Sequence, residues 1–485
     1  MTDANGRSHY RVTFAVLAAG VTAFSLLQSF VTPVLTTIQH DLHTSQSTVT
    51  WVLTAYLLSA SVFTPIVGRI GDRVGKAKMF VATLGALAVG SMLAALATSI
   101  GVLIFARAVQ GIGGGALPLA FGIVRDEFPG RKVSGAVGFL AALIAIGGGI
   151  AVVLAGPIVH ALNYHWLFWI PFIMCVLSGI AARVWIPESP VRGNTPVTWR
   201  PALLLSAWLI CLLLGLSQAP KWGWGSARVL GLFGSAILLA FAWIAIEERA
   251  AAPLIDMKMM RLPAVWTTNL VAFVTGIGMY STFAFLPEFV QTPPSAGYGF
   301  GASITKSGIL LLPNCLTMFT VSLAAAPLAR RLGAKTVVVA GSATSVVAFA
   351  VLTFAHDYEW QIYIVSGLLG IGIGAAFASM SALIVGAVEP DQTGVASGMN
   401  ANIRTIGGSV GAALMASIVT AGVPAGAIPP ESGYTNGFAM LMGAFAVAAL
   451  TGLLIPVGRV RRERHHEHAE LALVAAGTVV DTEAD

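Results

Sequence analysis

Long apolar runs of roughly 18 to 25 residues, separated by short polar stretches, set the pattern of this chain, and a helix of that length crosses a bilayer. Fourteen such runs are predicted as spans, near 13–36, 49–67, 79–98, 101–123, 135–159, 166–186, 201–218, 227–246, 264–289, 304–326, 336–355, 361–385, 397–421 and 437–457. Composition agrees with the pattern. Hydrophobic residues make up 56% of the chain and charged residues 10%, against roughly 25% charged in an ordinary globular protein. The fold class expected is an all-α membrane protein.

The polar stretches between the spans are unequal in charge. With the N-terminus inside, the cytoplasmic side collects Arg69, Arg73, Lys76 and Lys78, then Arg125, Arg131 and Lys132, then Arg330, Arg331 and Lys335, and the arginines after residue 458. The outer side keeps Lys221, Arg228 and Lys306, while Arg107 and Arg404 fall inside spans. That bias sets an N-in, C-in topology. The formal net charge of +6 is thus a topology signal and gives no reason to expect nucleic acid as a partner. The first span starts too near the N-terminus for a separate signal peptide and is expected to be retained. Cys175, Cys211 and Cys315 all sit in predicted spans, so no disulfide framework is implied.

The chain also repeats itself about 259 residues apart. Gly111-Ile112-Gly113-Gly114-Gly115-Ala116 returns as Gly370-Ile371-Gly372-Ile373-Gly374-Ala375, and Gly135, Gly148 and Gly149 return as Gly394, Gly407 and Gly408. Arg73-Val74-Gly75 returns as Arg331-Leu332-Gly333, one residue out of frame. Spans one to six therefore map onto spans nine to fourteen, and the seventh and eighth stand outside the duplication. The expected division is a cytoplasmic N-terminus over 1–12, a six-helix half over 13–186, and a linker with two extra helices over 187–263. A second six-helix half follows over 264–457, then a disordered cytoplasmic tail over 458–485. Duplicated halves in so apolar a chain are the mark of a secondary transporter with its site between the halves.

Between spans two and three the chain reads Gly68-Arg69-Ile70-Gly71-Asp72-Arg73-Val74-Gly75-Lys76-Ala77-Lys78, and span four carries Arg107-Ala108-Val109-Gln110-Gly111-Ile112-Gly113. Both stretches resemble signature motifs of the major facilitator superfamily. Trp51-Val52-Leu53-Thr54-Ala55-Tyr56 and the six, two, six layout resemble its fourteen-span drug:proton antiporters. The resemblance implies the major facilitator fold, with two pseudo-symmetric six-helix halves plus two inserted central helices. It implies a gating loop (Gly68, Asp72, Arg73, Gly75, Lys76) that holds the outward-open state, with Asp126 as a further member, and a functional role for Arg107. Two positions depart from the family pattern. Span five carries its Gly156-Pro157 pair after Gly147-Gly148-Gly149 rather than before, and span one reads Leu26-Leu27-Gln28-Ser29, without an aspartate.

Without that aspartate, the proton carrier must be sought elsewhere. Glu288, in span nine, occupies the repeat position of Ser29 and is the one acid away from loops, tails and cytoplasmic span edges. A carboxylate desolvated in such a place titrates near neutral pH. Asp126 is the next candidate. An outward-facing wet cavity between the halves is expected, walled by aromatics and amides: Gln28, Trp51, Tyr56, Gln110, Asn269, Tyr280, Asn314 and Asn402, with Arg404. Such walls suit adaptable apolar ligands with few polar anchors.

The function this points to is proton-coupled efflux of amphipathic or lipophilic small molecules by alternating access. An exporter or importer of one endogenous metabolite, or a non-transporting receptor or scaffold in the same fold, are the alternatives. The partners expected are a small-molecule substrate, protons and the lipid bilayer of the cell membrane, around a monomer. Gly111-x-Gly113-x-x-Ala116 follows no strand, and Gly75-Lys76 lacks the rest of a phosphate loop, so neither binds a nucleotide. No cofactor, metal or enzymatic chemistry is implied.

Overall fold

The structure, a computed structural model, describes residues 10–188 and 199–456, except 45, 50, 251, 252, 254, 390, 391, 422 and 424–427. Most of the N-terminal segment, most of the connector after residue 188, and the whole tail with its histidines lie outside the described residues. Each apolar run folds as a helix. In chain order these are α1 (Tyr10–Ser29), α2 (Trp51–Val74), α3 (Lys76–Ala95), α4 (Ile100–Glu127), α5 (Gly130–Ala161), α6 (Trp166–Trp185) and α7 (Trp199–Trp222). The second set is α8 (Ala227–Arg249), α9 (Pro263–Gln291), α10 (Ile304–Leu332), α11 (Ala334–Phe354), α12 (Glu359–Ala387), α13 (Thr393–Val419) and α14 (Glu431–Gly452).

Thirteen of these are both long and apolar enough to cross a membrane; α13 is the exception. It has 27 residues, yet it carries Asn400, Asn402, Arg404 and Ser409. Its position explains its composition. It packs against α9, α2, α4, α7 and α14, so its polar groups meet protein rather than lipid. The lipid belt lies elsewhere, on exposed Leu96, Phe105, Leu177, Leu203, Leu238 and Phe354, an apolar surface that water would not tolerate at this extent.

The helix contacts reproduce the duplication pair by pair. In the first half α1 packs on α5 and α6, α2 on α4, and α3 on α4 and α6; in the second, α9 packs on α13 and α14, α10 on α12, and α11 on α12 and α14. The halves are joined most extensively by α2 with α13 and α5 with α10, which the same pseudo-two-fold exchanges, and further by α5 with α12 and α4 with α13. The inserted pair is peripheral. α7 and α8 pack on each other, and α7 leans on the α2–α13 seam. Only 17% of the apolar window of α8 is buried.

One expected loop is mostly helix. α2 does not stop near residue 67 but continues to Val74, so Gly68, Asp72 and Arg73 ride on its last two turns. The break comes at Gly75, whose φ of 127° favours glycine. Gly333, its repeat mate, makes the same turn between α10 and α11 with φ 86°. In α4 the run Gly113-Gly114-Gly115 tightens one turn to a 3-10 helix, Ile112–Gly115, before the α-helix resumes at Ala116.

Candidate functional site

The cytoplasmic ends of the two halves are held together by a buried charge cluster. The Asp72 carboxylate accepts hydrogen bonds from the backbone N–H groups of Gly394 (3.3 Å) and Val395 (3.1 Å), the first turn of α13. Those N–H groups have no partner within their own helix, and the helix dipole favours an anion there. Lys76 pairs with Asp126 of α4 at 2.7 Å and stands 3.7 Å from Asp72, with all three side chains at most 1% exposed. So Asp72 reaches across to the second half, while Lys76 and Asp126 tie α3 and α4 beneath it. Close backbone packing makes this reach feasible. A methyl group on Gly68 would stand 2.7 Å from the Gly394 carbonyl oxygen.

Arg73, expected in this cluster, is exposed at the helix end and lies outside it. Two residues that sequence reasoning missed take part instead. The guanidinium of Arg125 donates to the Val385 and Val388 carbonyls at the end of α12 and to Thr393 Oγ1 (2.8 Å). It thereby satisfies carbonyls that a helix C-terminus leaves open. Glu188, after α6, accepts from the N–H groups of Ala77 and Lys78 at 3.2 and 3.3 Å and caps α3. A basic residue after a span reads first as a topology anchor, which is why Arg125 gave no distinct signal.

Deeper in, each half holds one buried arginine. Arg107 is fully buried: Nε donates to the Val52 carbonyl at 3.1 Å, a terminal nitrogen donates to Gln110 Oε1 at 2.7 Å, and the guanidinium lies 4.3 Å from the Tyr56 ring centre. Arg404 of α13 is 8% exposed and lies 4.4 Å over the Phe377 ring. Tyr280 of α9 is within electrostatic reach of both Tyr56 and Arg404. Its hydroxyl accepts a long bond, 3.5 Å, from Gln28 Nε2 across the halves. A cavity of about 10 Å³ lies beside Arg404, lined by Leu117, Pro118 and Phe121 of α4 and Ser381, Ser397 and Asn400 of the second half.

Other expected cavity residues are placed differently. Gln110 points into the first half, where its Nε2 donates to Ser91 Oγ of α3 at 3.1 Å, and so does not face the space between the halves. Asn269 is tied to Asn400 Nδ2 at 2.9 Å, near the cytoplasmic end of α9. Asn314 and Asn402 are buried, with side-chain amides that find no hydrogen-bond partner among the described residues. Trp51 is half-buried at the outer start of α2. Glu288 lies in the last turn of α9, exposed and beside Tyr434 of α14. It is nearer the outer surface than the sequence suggested.

Comparison with known proteins agrees with this architecture. The family model described as Major Facilitator Superfamily matches residues 17–412, with a second match over 268–480. A multidrug resistance protein B homolog of Mycobacterium tuberculosis is 28% identical, over 91% of this chain and 83% of its own. A cephamycin export protein of Amycolatopsis lactamdurans is 29% identical, over 89% and 90%. The crystal structure of the human organic anion transporter MFSD10 superposes with a TM-score of 0.66 at 16% identity, covering 91% of this chain and 99% of that one.

Proposed function

Because this chain belongs to the major facilitator superfamily, we propose that it exports amphipathic small molecules from the cell, driven by protons, by alternating access between its two halves. The observation that carries this reading is the seal. The halves meet at their cytoplasmic ends through Asp72 on the start of α13 and Arg125 on the end of α12, beneath buried Tyr56, Arg107 and Arg404 and half-buried Tyr280. Polar contacts at one end of a two-half molecule are separable, and alternating access between the halves requires such contacts to break and re-form. The names of the similar proteins, a multidrug resistance protein and an antibiotic export protein, favour small-molecule export as the direction.

The geometry supports the following roles. Asp72, Lys76 and Asp126 form the cytoplasmic gate, and Gly68 and Gly75 give it close approach and its turn. Arg107 orders Tyr56 and Gln110 beneath the binding space. Efflux of a fluorescent lipophilic dye from cells carrying the protein, with and without a protonophore, tests the reading. Dye retention equal to that of cells without the protein would overturn it, and protonophore-insensitive efflux would remove the proton.

A further inference from the structure

Arg404 and Ser397 sit seven residues apart on one face of α13 and border the same cavity. Arg404 Nε and Ser397 Oγ have no hydrogen-bond partner among the described residues, although their residues are only 8% and 6% exposed. None of the ion pairs formed among the described residues includes Arg404, and the Tyr280 phenol lies within its electrostatic reach. Arg107 differs. Its guanidinium is held by Val52, Gln110 and Tyr56, so it has less left to offer a ligand.

A buried guanidinium with an open N–H, and a buried hydroxyl on the same wall, form an incomplete anion site. The surrounding groups suit the rest of such a ligand. Phe121 and Leu117 of α4 face Arg404 across the cavity, and Phe377 lies under it. At about 10 Å³ the cavity holds roughly one water. It lies between α4 of one half and α12 and α13 of the other, beside the Arg125 clamp. Separation of the cytoplasmic ends would open it to the cell interior.

We propose that Arg404 and Ser397 receive the acidic group of an amphipathic organic anion, a carboxylate or sulfonate on an apolar body, taken up from the cytoplasmic side. This rests on the export reading for its biological sense, but binding tests it independently.

The experiment uses full-length protein in nanodiscs of zwitterionic lipid and follows the fluorescence anisotropy of 6-carboxyfluorescein, an anion, and rhodamine 6G, a cation. Wild type should bind 6-carboxyfluorescein. Arg404→Gln should weaken that binding at least tenfold and Arg404→Lys less, because lysine keeps the charge but loses the fork. Ser397→Ala should weaken it about threefold. Rhodamine 6G binding should not fall in any variant, which also reports that the fold survives. Failure of the wild type to bind 6-carboxyfluorescein, or equal loss of both dyes in Arg404→Gln, overturns the proposal. Charge-selective binding without transport of either dye in proteoliposomes would sink the export reading and leave the anion site standing.

Discussion

At the scale of single residues the proposed gate is a matter of which charges are buried and what they touch. Asp72 is 1% exposed and spends its negative charge on two N–H groups of another helix. Hydrogen bonds to a charged group contribute about 1.5–3 kcal/mol each, neutral ones nearer 1. Asp72→Asn keeps one acceptor and loses the charge, so the cytoplasm-closed state should weaken by about 2 kcal/mol, or roughly 30-fold in population. Transport should fall at least tenfold while the thermal midpoint of the purified protein moves by only a few degrees. Wild-type rates in this variant would leave the motif a topology anchor. Arg107→Lys should also fold yet lose at least tenfold in transport, because an ammonium cannot reach Val52, Gln110 and the Tyr56 face together. Retained transport in Arg107→Lys would show that charge alone suffices. Arg107 was legible in the sequence because a charge inside an apolar run is costly and therefore conspicuous, and Asp72 because it stands in the glycine-flanked charged motif after span two. Ser397 and Arg125 were not: a serine among small residues, and an arginine at a span's cytoplasmic edge, each have a commoner explanation. Gln110 was misplaced because both faces of an inner helix are buried, so spacing alone cannot tell the first half's core from the space between halves.

At the scale of elements, the decisive contact is α2 against α13. Gly68 lies on Gly394, and Gly398 lies on Thr64 and Pro65, so the backbones nearly touch at the sealed end. Gly68→Val puts two methyls where the Gly394 carbonyl stands. Overpacking of this kind costs about 1–3 kcal/mol, and here the cost falls on one conformation only. The expected result is a carrier biased toward its cytoplasm-open form. In a Cys211→Ser background, an Ala401→Cys reporter beside the cavity should label from the cytoplasmic side at least fivefold faster with Gly68→Val than without it. Equal labelling would mean that the α2–α13 crossing does not form the gate. Helix existence was legible from apolar run length, and even polar α13 was recognisable through its repeat mate α5. The end of α2 was not. Past the membrane edge a helix needs no apolar residues, so hydropathy stops reporting where the helix continues.

At the scale of the whole molecule, the pseudo-two-fold places α1 opposite α9, and any coupling must act through a group that one state exposes and the other does not. Asp126 is held by Lys76 at 2.7 Å inside the gate, where a proton would have to displace an ion pair. Glu288 instead stands exposed in the last turn of α9, beside the Tyr434 hydroxyl of α14. An exporter that takes its proton from outside needs an acid reachable there while the cytoplasmic end is shut. Exposed at the outer end of α9, Glu288 is the acid we propose for that role. A glutamine at this position keeps the side-chain size and a hydrogen-bond acceptor but carries no titratable proton. Glu288→Gln should therefore bind substrate with an affinity within about threefold of wild type, yet lose at least tenfold in pH-gradient-driven uptake into liposomes. Glu288→Asp should retain part of it, because the shorter acid still titrates. Downhill substrate exchange, which needs no net proton movement, should survive in Glu288→Gln and separates lost coupling from a damaged binding site. Undiminished gradient-driven uptake in Glu288→Gln would move the coupling to the Asp126–Lys76 pair, where Asp126→Asn is the next variant to measure.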